Sequence, residues 1–77
     1  MRILLVDDEV ELTEPLSRVL KREGYSVQIA HDGETGYDLA VSGKFDLLIL
    51  DWMMPGLSGL EMCQRLRDHH FTTPVLF

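Results

Sequence analysis

The feature that most constrains this chain is Leu47-Leu48-Ile49-Leu50-Asp51, followed by Trp52-Met53-Met54-Pro55-Gly56. An apolar run of strand length that ends in a carboxylate and then breaks is the pattern of a buried parallel strand delivering its last residue to a sheet edge. Pro55-Gly56 suits the two central positions of a type II turn, where proline presets the first and glycine accepts the positive φ of the second. A second run, Ile3-Leu4-Leu5-Val6, ends the same way in Asp7-Asp8-Glu9. Two buried strands that both discharge carboxylates at their C-terminal ends make an acidic pocket, and the function is expected there.

Hydrophobic spacing sets the remaining elements. Arg2 to Val6 reads as a strand. Asp8 to Glu23 predicts a helix with Leu12, Leu16, Val19 and Leu20 on one face and Gly24 as its stop; Pro15, which lacks an N–H, is a local conflict. Ser26 to Ala30 alternates and predicts a half-exposed edge strand. Asp32-Gly33 turns the chain into Glu34 to Ser42, a short helix weakened by Gly36 and ended by Gly43. Ser58 with Glu61 three residues on has capping-box spacing and opens a helix with Leu60, Cys63 and Leu66 as its stripe. Pro74 precedes Val75-Leu76-Phe77, the opening of a further buried strand. Such alternation predicts an α/β fold: a parallel sheet, right-handed crossovers and helices on both faces.

In an open α/β sheet the ligand crevice lies beyond the C-terminal strand ends, where the connection direction reverses. Neighbouring strands are about 4.8 Å apart, which brings Asp7 or Asp8 close to Asp51. Two carboxylates about 5 Å apart repel by roughly 3 kcal/mol at an effective dielectric near 20. Lys44 precedes the Asp51 strand and belongs to the opposite end of the sheet; Arg2 and Lys21 are equally remote. The acids therefore need an external cation. Oxygen ligands select a hard ion, and two carboxylates with room for waters and a phosphate oxygen suit Mg²⁺ better than Ca²⁺.

Composition narrows the alternatives. With 77 residues the chain is at most one domain, and its net charge of −6 argues against nucleic-acid binding through this segment. A single cysteine, Cys63, excludes an internal disulfide and a cysteine zinc cluster; on an apolar stripe it reads as core filling. With no apolar run of bilayer length and no signal-peptide layout, a cytoplasmic protein is expected. His31, His69 and His70 lack partners at ligand spacing and read as surface residues. Trp52 at the strand exit either gates the pocket or simply packs.

Taken together, Leu5-Val6-Asp7-Asp8-Glu9, Asp32-Gly33, Asp51-Trp52-Met53-Met54-Pro55-Gly56 and Thr73-Pro74-Val75 resemble the receiver domain of two-component response regulators. The resemblance spans residues 1–77 as a partial receiver domain, truncated in the fourth strand. It implies a flavodoxin-like sheet of order 2-1-3-4, with the C-terminal strand and helices missing. It implies Asp51 as the phosphoryl acceptor, taking the group from a sensor histidine kinase or phosphotransfer protein. It further implies Mg²⁺ held by Asp7, Asp8, Asp51 and the backbone carbonyl of Met53. The family's switch Ser or Thr and its active-site Lys lie beyond Phe77, so metal binding is expected to survive better than phosphoryl transfer.

Such a chain is expected to act as a signalling module rather than an enzyme. Two other readings stand beside it. One is a half-domain without phosphotransfer competence that folds by association, as a homodimer or a swapped assembly. The other is a Mg²⁺ phosphohydrolase with an Asp nucleophile, although Met53 occupies the place of the second Asp such enzymes carry. Neither a glycine fingerprint nor a Gly-Lys-Ser/Thr loop follows the first strand, which argues against nucleotide binding.

Overall fold

The apolar runs become neighbouring parallel strands, because each is long enough for a strand and must be covered on both faces. The computed structural model describes residues 1–77, in the order β1 (Arg2–Val6), α1 (Val10–Arg22), β2 (Ser26–Ala30), α2 (Gly33–Ser42), β3 (Leu47–Leu50), α3 (Gly59–Asp68) and β4 (Val75–Leu76). The sheet order is 2-1-3-4, as expected, and every pairing is parallel. Val6 stands in register with both Ala30 and Leu50, so three strands finish level. That level rim positions the acids.

Alternation along β1 and β3 sends Leu4, Val6, Leu48 and Leu50 to the face covered by α2 and α3, where they meet Ala40, Met62 and Leu66. These side chains are buried essentially completely. Each such aliphatic side chain contributes roughly 1.5–3 kcal/mol of transfer free energy. Gly36, which weakens α2 by propensity, has a packing role: a Cβ there would lie 2.8 Å from both γ-carbons of Val6. Its absence lets α2 lie directly on β1.

On α1 the structure corrects the predicted stripe. The residues turned inward are Thr13 and Ser17, while Leu12 and Val19 are 56% and 50% exposed and Leu16 is exposed beside them. The apolar stripe is real but is largely exposed, and only Leu20 of it is half-buried. The helix also starts later than expected, because the Glu9 N–H donates to Asp7 Oδ1 at 2.9 Å and Glu9 itself is extended. Pro15 forfeits one hydrogen bond on the exposed side without ending the helix. On α3 the inward residues are Gly59, Met62 and Leu66; Leu60 is exposed and Cys63 packs partly buried against the core. No helix is long and apolar enough to cross a membrane.

Candidate metal centre

Each acid at the rim is held by the main chain of the neighbouring strand. Beyond the end of β1, the Asp7 N–H donates to the Ala30 carbonyl at 3.1 Å; beyond β3, the Asp51 N–H donates to the Val6 carbonyl at 2.8 Å. Both residues are therefore extensions of strands, with little freedom to move apart. Asp8 and Glu9 follow in the turn before α1. One carboxylate oxygen from each of Asp7, Asp8, Glu9 and Asp51 lies within 4.8 Å of all the others. Asp7 and Asp51 are half-buried, and Asp8 and Glu9 are exposed.

The electrostatics follow from that geometry. The Asp51 carboxyl is held above its ordinary range, first by burial, then by the charge of Asp7; the Met53 backbone N–H opposes them, and Asp8 adds a smaller upward push through its side chain and charge. The structure's one ion pair, Arg65 with Glu34 at 3.4 Å, joins α3 to α2 and takes in none of the four acids. An all-oxygen donor set, converging and without a cationic partner, fits a hard divalent ion.

The loop after Asp51 is shaped by its own residues. Gly56 has φ 75°, the positive value expected at the second position of the turn. Ser58 caps α3: its Oγ accepts the Glu61 N–H at 3.1 Å, and Glu61 Oε1 accepts the Ser58 N–H at 3.2 Å. Gly59 opens the helix against the Asp51 carbonyl oxygen, with no room for a Cβ. Trp52 packs edge-on to Phe77, ring centroids 4.9 Å apart, and remains half-exposed.

Sequence reasoning brought three of the four carboxylates together and left out Glu9. Its place beside Asp7-Asp8 did not single it out; only in the structure does Glu9, at the N-cap position of α1 without a side-chain cap, fall within reach of the other three. His31 was read as a surface residue; it is exposed, but its Nδ1 donates to the Asp7 carbonyl at 3.1 Å. His69 lies at the end of α3 with its ring 6.3 Å from that of Tyr37, away from the acids.

A sequence model of the response regulator receiver domain matches residues 3–77. The chain belongs to the response regulator receiver family. It is 49% identical over 76 residues to the response regulator MprA of Mycobacterium avium, covering 99% of this chain and 33% of MprA. The receiver domain of the Francisella response regulator 1452 superposes with a TM-score of 0.93 at 28% identity, over 96% of this chain and 61% of that one. TrrA of Thermotoga maritima, solved in complex with Mg²⁺-BeF, matches with a TM-score of 0.84 at 46% identity, over 88% of this chain and 59% of its own. TrrA has also been solved in complex with the histidine kinase ThkA; there the TM-score is 0.88 at 42% identity, over 96% of this chain and 64% of that one. The receiver described here thus spans about a third of MprA and about 60% of the TrrA chain bound to Mg²⁺-BeF. Receivers are signalling domains of two-component systems rather than classical enzymes, and acting as a phosphoacceptor is general to the family.

Proposed function

We propose that residues 1–77 form the first part of a cytoplasmic receiver in which Asp51 accepts a phosphoryl group from a phosphohistidine on a sensor kinase or phosphotransfer protein. Asp7, Asp8 and Asp51, with the Met53 carbonyl, would hold Mg²⁺. The observation that carries this reading is the convergence of four carboxylates on Asp51's strand end without a cation among them.

Asp51 suits the nucleophile's role because its main chain is fixed to β1 and its side chain is half-buried, so little motion is needed to reach a phosphorus atom. An Asp51 carboxylate oxygen bonds to phosphorus, the P–N bond to the donor imidazole breaks, and the imidazole keeps the electron pair. Mg²⁺, when bound, supplies neutralisation of charge on the transferring group. Asp7 and Asp8 orient toward that shared space and repel Asp51, which keeps its carboxylate basic. The product replaces one carboxylate charge by roughly two on a phosphoryl group, a change large enough to bias a two-state surface.

Acetyl phosphate and Mg²⁺ followed by intact mass test the reading. A single phosphoryl adduct is expected, absent in Asp51→Asn. Rapid turnover of acetyl phosphate without an adduct would favour the hydrolase instead. Absence of an adduct alongside retained Mg²⁺ binding would favour a half-domain without transfer competence. The exposed flank of Leu12, Leu16 and Val19, with Leu76 also exposed, supports a further reading in which copies associate. Light scattering behind a sizing column at micromolar protein separates dimer from monomer.

A further inference from the structure

The Asp32-Gly33 turn has no part in the centre described above, yet its surroundings connect it to both halves of that centre. Gly33, the first residue of α2, is buried against the main chain of Leu57 in the loop that leads from Asp51 to α3. A Cβ at position 33 would overlap the Leu57 carbonyl oxygen and come 2.9 Å from Leu57 Cβ and 3.0 Å from its carbonyl carbon. Two residues earlier, the His31 ring donates to the main-chain carbonyl of Asp7. A carbonyl can only accept, so the proton is on Nδ1. Between them Asp32 locks the corner: its Oδ1 accepts the Thr35 N–H at 2.7 Å and its Oδ2 accepts the Thr35 hydroxyl at 2.9 Å. One short corner therefore touches the main chain of both acid-bearing segments.

We propose that the His31-Asp32-Gly33 corner is a positioning element for the metal centre. Gly33, lying against Leu57, sets where the 52–58 loop and its Met53 carbonyl sit relative to Asp7 and Asp51. The proposal rests on the function proposed above for that centre. Neighbours of metal ligands act in this way by fixing ligand orientation, and their loss lowers affinity without removing a ligand.

Alanine at position 33 is a selective probe. Positive φ among the glycines is confined to Gly24 and Gly56, so Gly33→Ala meets no left-handed strain, and helix propensity favours it. Any loss comes from displacing Leu57. Gly24→Ala is the control: φ there is 95°, nothing lies within 4 Å of the added Cβ, and the residue sits in the α1–β2 turn, at the other end of the sheet. It destabilises the fold without touching the loop.

The experiment titrates the full 77-residue chain with MgCl₂, read by the emission of Trp52, its single tryptophan, beside thermal unfolding by circular dichroism. The expected result is Mg²⁺ affinity roughly tenfold weaker in Gly33→Ala and unchanged in Gly24→Ala. Equal affinity in Gly33→Ala and wild type overturns the proposal, as does loss of affinity in both variants in proportion to their lost melting temperature. If Gly33→Ala does not fold, His31→Ala decides: weaker Mg²⁺ binding supports the positioning role, and unchanged binding overturns it. A wild-type chain that binds no Mg²⁺ removes the function proposed for the centre and this inference with it.

Discussion

The two ends of the sheet treat their acids in opposite ways. Where the strands begin, Asp46 Oδ2 accepts the Arg2 backbone N–H at 2.7 Å. The Arg2 guanidinium there donates to the Lys44 carbonyl at 3.0 Å and lies 4.8 Å from the centroid of the Phe45 ring. Where the strands end, four carboxylates face one another with no side-chain cation among them. Residue type is the same at both ends; the partner differs. At the strand starts one acid is matched to one donor; at the strand ends Asp7 also accepts the Glu9 N–H, but four crowded carboxylates without a cation leave negative charge available to an external one.

That contrast is broken most directly at Asp8. Asp8→Asn removes one charge and one ligand, and Mg²⁺ affinity measured by titration calorimetry should fall by about tenfold or more. Its metal-free melting temperature should not fall, because a repulsion has been relieved. Asp46→Ala at the opposite end should do the reverse. Loss of the bond to the Arg2 N–H should cost about 1 kcal/mol in urea unfolding and leave Mg²⁺ affinity unchanged. Should Asp46→Ala weaken Mg²⁺ binding as Asp8→Asn does, the two ends are not independent.

The smallest effect sharpens the comparison through pH. Asp51 is held above the ordinary 3.8, so between 3.8 and its raised value the folded chain keeps a proton that the unfolded chain has released. Metal-free stability should therefore rise as pH falls through that window and decline as pH rises through it. Asp51→Asn should flatten this slope and be the more stable protein near neutral pH. Asp32 has the opposite sign. Its N–H and hydroxyl bonds from Thr35 lower its carboxyl below 3.8, so its contribution is present above 3.8 and lost as pH falls through the lowered value. Asp32→Asn should remove that acid-side loss in pH-dependent urea titrations.

Much of the architecture was legible in the chain. The strand runs, the Ser58 capping box, the Pro55-Gly56 turn and the edge character of β2 are local, and the structure has each of them. The α1 stripe was legible as a stripe but not in its direction. Periodicity marks which residues share a helix face, and only the position of the sheet decides that Thr13 and Ser17 turn inward instead. Met62 in place of Leu60 on α3 is the same error on a smaller scale. Gly36 read as a flaw in α2 because propensity knows nothing of Val6 lying under it.

By itself the sequence determined that two apolar strands would end in acids and that the first turn of α3 would be capped, because these depend on residues a few positions apart. Tertiary structure alone decided that Glu9 joins Asp7, Asp8 and Asp51, that Asp51 is desolvated enough to hold its proton more tightly, and that Gly33 rests on Leu57. Each of those is a distance between segments far apart in the chain, and such distances follow from sheet register and helix packing rather than from any local preference of the backbone.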